Sequence, residues 1–171
     1  MIGLKRGSVK LSPYNPKWAK EFEKERERIL VKLESTYAVD VQHIGSTSVP
    51  GLTAKPLIDM SLGVRRFKDV EKLVKPLREL GYIFDRKFQH QRFFAKGPDS
   101  KRTHYLHVMR YDGVKWRNDR AFREYLIEHP KQVHAYSKLK MELAQKYPND
   151  RQKYSDGKDK FIKHILKLAN K

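Results

Sequence analysis

The chain has 171 residues, no cysteine, and 38 lysines and arginines against 20 aspartates and glutamates. These features exclude disulfides and thiolate metal sites, and no apolar run approaches the ~20 residues of a membrane-spanning helix, so we expect one compact, cytoplasmic unit without membrane contact. The cationic excess is typical of proteins that bind nucleotides or nucleic acid, and equally of a solvated, lysine-rich surface in a heat-adapted protein.

The first elements predict the beginning of an α+β core. Asn15-Pro16 supply a cap and a first-turn proline, and apolar residues at helical spacing then predict an amphipathic helix over 16–35. Two apolar runs, 39–44 and 57–64, predict strands on either side of a polar segment that contains glycines.

Further helix and strand patterns complete this core. A second helical pattern covers 67–80, interrupted at Pro76, and it is followed by apolar runs over 91–96 and 103–110. The turn cluster 97–100 between these two runs predicts a hairpin. The fold class indicated is α+β, with a mixed or antiparallel sheet covered by helices.

The remainder of the chain is helical in pattern. From Asn118 onward apolar residues recur at helical spacing, with breaks at 129–130 and 147–150. We therefore predict a core over 1–113 and a C-terminal helical subdomain over 114–171 that packs on it.

The segment between the first two strands has the composition of a phosphate site. Gly45, Ser46 and Thr47 offer backbone N–H groups and hydroxyls, and Lys55 adds a cation just before the second strand. The alternative is a tight turn without a ligand. Asp59, in an otherwise apolar strand, is a candidate catalytic residue and metal ligand, or else a salt-bridging carboxylate.

Histidines and further cations extend the candidate site. His43 and His107 are candidates for a metal ligand or a general base, although a histidine beside an apolar strand is usually structural. Arg120 and Arg123 lie one turn apart on a predicted helix, and Lys158 opens the last helical segment. We predict that these three cations bind phosphate, while a solvated face is the alternative.

Several segments together resemble the GrpB family. They are Tyr14-x-Pro16-x-Trp18, His43-Ile44-Gly45-Ser46-Thr47-x-Val49-Pro50-Gly51-Leu52-x-Ala54-Lys55-Pro56-x-Ile58-Asp59, His104-Tyr105-Leu106-His107-Val108, Asp119-Arg120-x-Phe122-Arg123-x-Tyr125-Leu126, Leu139-Lys140-x-x-Leu143-Ala144 and Tyr154-x-x-x-Lys158-x-x-Phe161. The resemblance implies a nucleotidyltransferase superfamily fold. In that superfamily a Gly-Ser turn receives the nucleotide triphosphate, and carboxylates on neighbouring strands hold a divalent metal.

The sequence departs from that pattern at the metal site. A second acid is expected two residues after Asp59, where Ser61 stands, and the strand expected to carry a third acid offers histidines. We therefore name Asp59 and His107 as candidate ligands of a divalent metal. Mg²⁺ or Mn²⁺ suits the carboxylate, and Zn²⁺ suits the imidazole.

Two functions follow from these observations. The first is a nucleotidyltransferase-like enzyme that binds a nucleotide or phosphorylated small molecule at the Gly45-Ser46 turn and performs metal-assisted phosphoryl or nucleotidyl transfer. The second is a non-catalytic module that retains the fold and binds a nucleotide or RNA through its basic surface. The sequence does not indicate an oligomeric state.

Overall fold

The computed structural model describes residues 2–171, apart from the side chains of Glu34 and Ser35. Six α-helices are present over the described residues: α1 (Lys17–Tyr37), α2 (Val74–Glu79), α3 (Val114–Glu128), α4 (Pro130–Lys146), α5 (Arg151–Asp156) and α6 (Asp159–Ala169). The five strands are β1 (Ala38–Ile44), β2 (Ile58–Val64), β3 (Tyr82–Lys87), β4 (Gln91–Lys96) and β5 (His104–Arg110). Short 3₁₀ segments occupy Ser46–Ser48 and Phe67–Leu73.

The strands form one mixed sheet in the order β1-β2-β5-β4-β3. β2 and β5 run parallel, and every other neighbouring pair is antiparallel. The predicted α+β class, with a mixed sheet covered by helices, is confirmed. As predicted, the Gly45-Ser46 turn follows β1 and leads to β2, the strand that carries Asp59.

The two faces of the sheet differ in character. On one face Ile58, Met60 and Leu62 of β2 pack with α1 and the 67–79 helical region in the main apolar core. Because side chains alternate along a strand, Asp59 and Ser61 of the same strand point to the other face. Polar residues at the centre of the sheet are therefore brought to one side.

Most predicted elements are present, with two differences. The helix predicted over 67–80 is a 3₁₀ segment, Phe67–Leu73, followed by the short helix Val74–Glu79. The strand Tyr82–Lys87 was not predicted. It lies at the edge of the sheet, where Ile83 and Phe84 are exposed, so it lacks the alternation of buried and exposed residues by which strands are recognised.

The C-terminal helices enclose a second apolar cluster together with the loop after the Gly-Ser turn. Val49 and Leu52 of that loop pack with Leu126, Tyr136 and Ile165. Two side chains of α4 also bind the loop backbone at Thr53. The Thr53 N–H donates to the Ser137 hydroxyl, and the Lys140 ammonium donates to the Thr53 carbonyl. Among the described residues, no helix is long and apolar enough to cross a membrane.

Candidate phosphate-binding cleft

The Gly-Ser turn is held in a conformation that requires glycine. Gly45 has φ +69° and ψ −168°, and a Cβ there would lie 3.1 Å from Asp59 Cβ and Oδ2. This backbone region is almost restricted to glycine. The 3₁₀ turn that follows, Ser46–Ser48, begins with N–H groups that have no acceptor within the turn.

A buried hydrogen-bond chain supports this turn from behind. The Thr47 hydroxyl donates to the Leu57 carbonyl at 3.1 Å, and His43 Nε2 lies 3.0 Å from the same hydroxyl. Because the hydroxyl has a single proton, His43 must donate to it from Nε2. Burial lowers the pKa of His43 to about 4, which keeps the ring neutral.

Asp59 and His107 meet at the centre of the open face. His107 is on β5, in register with Ser61 of β2, and its Nε2 lies 3.8 Å from Asp59 Oδ1. Burial raises the pKa of Asp59, but His107, Lys55 and Arg151 together hold that pKa below its ordinary value. Asp59 is therefore an ionised carboxylate in a cationic environment.

Three cations converge on this carboxylate from different elements. Lys55 precedes β2, Arg151 begins α5 and Lys158 precedes α6, and all three line one cleft of about 370 Å³ with Asp59. Burial, then the charges of Arg151 and Lys158, lower the pKa of Lys55 to about 8. Burial and Arg151 also lower the pKa of Lys158, although Asp59 opposes this effect.

Aromatic rings hold these cations in place. The Lys55 and Lys158 ammonium groups lie 5.5 and 4.7 Å from the centroid of the Tyr154 ring, and the Arg151 guanidinium lies 5.2 Å from that of Tyr105. Cation–π contacts of this kind orient a cation without neutralising it. The charges remain available to a ligand.

A second carboxylate reaches the cleft from a helix. Asp119 of α3 accepts a hydrogen bond from Ser61 Oγ at 3.2 Å, at the strand position where the sequence lacks an acid. Lys115, one turn earlier on the helix, donates to the same carboxylate at 2.5 Å. The charge of Asp119 is therefore already compensated within α3.

The donors present do not form a metal cage. Asp59 and His107, the predicted metal ligands, do lie together, but no group of three potential histidine, aspartate or glutamate ligands converges anywhere in residues 2–171. An ion at Asp59 would need oxygen atoms from the bound ligand to complete its coordination, as Mg²⁺ sites commonly do.

The cleft collects most of the predicted site residues but not all of them. Its lining includes Gly45, Ser46, Thr47, Lys55, Asp59, His107 and Lys158. His43 lies outside this lining, stacked on Phe22 of α1 with ring centroids 4.7 Å apart. Arg120 is paired with Glu124 on the exposed side of α3, and Arg123 donates to the His43 carbonyl at 2.7 Å. None of these three residues lines the cleft; His43 and Arg123 support the turn and the end of β1, and Arg120 lies on the exposed surface of α3.

Three charged residues of the cleft, Lys115, Asp119 and Arg151, were not predicted from the sequence. Arg151 directly follows the predicted helix break at 147–150, Lys115 precedes the helical pattern that begins at Asn118, and Asp119 stands on a helix far along the chain from Ser61. The one sequence signal was that they lie within or near segments that resemble the GrpB family, and this resemblance assigned no role to them.

Comparison with known proteins decides the family. The family model described as GrpB protein matches residues 8–168. The chain belongs to the GrpB family. It is 38% identical to the glutamate-rich protein GrpB of Alkalihalophilus pseudofirmus, over 97% of this chain and 98% of that relative. A UPF0157 protein of Pseudomonas aeruginosa is also 38% identical, over 94% of this chain and 67% of its own length.

A solved structure agrees with this GrpB assignment. The crystal structure of the conserved protein GrpB from Enterococcus faecalis is 37% identical to this chain and superposes with a TM-score of 0.85, covering 94% of this chain and 96% of that one. The GrpB fold therefore accounts for nearly the whole described chain. The family assignment gives the architecture, whereas activity has to be argued from the cleft.

Proposed function

We propose that the cleft binds a nucleotide or another phosphorylated small molecule, and that the protein is a nucleotidyltransferase-like enzyme acting on that ligand. The observation that carries the proposal is the set of three cations, Lys55, Arg151 and Lys158. None of them makes a salt bridge or a side-chain hydrogen bond within residues 2–171. Asp59 is the carboxylate beside them, and its single negative charge does not balance three cations. A bound phosphate supplies the missing negative charge.

The arrangement of donors suits a phosphate ligand. Gly45 and Ser46 of the turn line the same cleft as the three cations. N–H groups at a turn and lysine or arginine side chains are the usual partners of phosphate oxygens. Catalysis of this type rests mainly on positioning and electrostatic stabilisation.

Asp59 and His107 are the proposed catalytic pair. The Asp59 carboxylate and the His107 imidazole are 3.8 Å apart at the base of the cleft, where one of them would accept the proton of an attacking hydroxyl. Metal assistance would require that phosphates of the ligand complete the coordination of an ion at Asp59.

A second candidate is a binding module without transfer activity. It is favoured by Ser61, which replaces an acid of the nucleotidyltransferase pattern, and by Asp119, whose charge is compensated by Lys115. Such a module would bind a free nucleotide or RNA through the same cations, with little dependence on metal.

Thermal-shift measurements on metal-stripped protein test both candidates. Nucleotides and phosphorylated metabolites are added with and without Mg²⁺, Mn²⁺ and Zn²⁺, because a ligand at 100 times its Kd stabilises the native state by about 2.7 kcal/mol. We expect a shift that Lys158→Met reduces. Lys160→Met, a control two residues away at an exposed position, should leave it unchanged.

The outcomes separate the two functions. A metal-dependent shift that Asp59→Ala abolishes supports the enzyme, and a metal-independent shift supports the binding module. The absence of any shift across the panel would refute the phosphate-binding proposal itself.

A further inference from the structure

The cleft has a second, apolar end that phosphate does not explain. Beyond the cations, its lining changes to Phe122 of α3 and to Ile162 and Leu166 of α6, with Ile44 at the end of β1. Phe122, Ile162 and Leu166 are all partly exposed, so their side chains are not fully covered by the helical cluster. A purely inorganic phosphate ligand would leave this surface unused.

One face of α6 runs from the cationic end of the cleft to its apolar end. Lys158, Ile162 and Leu166 are spaced four residues apart at and within α6, so they form one stripe that changes from cationic to apolar. At 1.5 Å per residue this stripe is about 12 Å long. A single ligand can therefore place its phosphates at Lys158 and another group beside Leu166.

A free amide stands beside the apolar end. Asn118 lies four residues before Phe122 on α3, and both line the cleft. The Asn118 side chain makes no hydrogen bond to any other described residue, which leaves two donors and one acceptor available. A planar group with apolar faces and a polar edge fits this combination of Phe122 and amide.

We propose that the apolar end of the cleft, formed by Phe122, Ile162, Leu166 and Asn118, is a nucleobase subsite, so that the ligand is a nucleoside phosphate. This inference rests on the proposed function and narrows its ligand class. The base lies between α3 and α6, and the Asn118 amide contacts its edge. Stacking on side chains is tolerant of base identity, whereas an amide contact at the base edge discriminates between bases.

Titration calorimetry with four ligands tests the subsite. Wild-type protein is titrated with ATP, UTP, ribose 5-phosphate and tripolyphosphate under one set of buffer and metal conditions. We expect at least one nucleoside triphosphate to bind about tenfold or more tightly than tripolyphosphate, which carries three phosphates without ribose or base. Ribose 5-phosphate should bind no better than tripolyphosphate.

Variants assign that difference to the apolar end. Asn118→Ala and Phe122→Leu should each reduce the nucleotide preference severalfold and leave tripolyphosphate binding unchanged, which also shows that the variants are folded. Ile127→Ala, at an exposed position of α3 outside this cleft, is the matched control. Equal binding of nucleotides and tripolyphosphate would overturn the subsite alone, whereas binding of neither would overturn the proposed function.

Discussion

The protonation of Lys55 makes the affinity for a phosphate ligand depend on pH. Without a ligand, burial and the charges of Arg151 and Lys158 hold the pKa of Lys55 at about 8, against an ordinary value of 10.5. A bound phosphate favours the ammonium form, so binding is coupled to proton uptake wherever Lys55 is neutral. The affinity should therefore be nearly constant below about pH 7 and fall as pH rises above 8.

The size of this effect follows from the pKa. At pH 9 only about one Lys55 side chain in ten is protonated, so binding should be about tenfold weaker than at pH 7. Calorimetric titration at the two pH values measures this, with a ligand whose phosphates are fully ionised at both. Lys55→Arg keeps its charge and should flatten the dependence. An affinity that is unchanged between pH 7 and 9 in the wild type would refute the reasoning.

Three further outcomes are expected. Gly45→Ala should lower the free energy of unfolding by about 1–3 kcal/mol, measured by urea titration, because its backbone region is nearly restricted to glycine and its Cβ would crowd Asp59. Gly51→Ala also places a side chain at positive φ but has no atom within 4 Å of its Cβ, so it should cost less, and equal losses would contradict this. Burial lowers the pKa of His43 and His104 to about 4, so between pH 6.5 and 4 the unfolded state binds more protons than the folded state. The free energy of unfolding should therefore decrease as the pH is lowered through that window, by about 1.4 kcal/mol per pH unit for each histidine. A pH dependence that His43→Gln leaves equally steep would contradict this. Lys140 is buried, and its pKa is lowered by burial and by the nearby lysines, so Lys140→Met should change stability by less than about 1.5 kcal/mol; a larger loss would show that its bond to Thr53 dominates.

Sequence patterns predicted the core of the fold because its elements are regular. The α1 helix was expected over 16–35 and spans Lys17–Tyr37, and the hairpin of 91–96 with 103–110 was recovered with its turn. The strand Tyr82–Lys87 was missed because an edge strand with exposed apolar residues has no buried face to impose a pattern.

The site was predicted where its residues are close in the chain. Gly45, Ser46, Lys55 and Asp59 lie within one connection between two strands, so their proximity follows from the sequence order. Arg151 reaches Asp59 only because the C-terminal helices fold back over the open face of the sheet, and no local pattern encodes that return.

Three other predicted site residues lie outside the lining of the cleft. Arg120 and Arg123 share a helix face, but Arg120 pairs with Glu124 and Arg123 is used to anchor α3 to β1. His43 precedes the turn directly, yet strand alternation directs its ring to Phe22 and the α1 layer. A residue close in sequence to the Gly-Ser turn can therefore still face away from the cleft.

A crystal structure with a bound nucleoside triphosphate tests the central claim most directly. The account predicts phosphate oxygens within hydrogen-bonding distance of Lys55, Arg151 and Lys158, beside the Gly45-Ser46 turn. Phosphates found on the exposed arginines of α3, with the cleft unchanged, would contradict it.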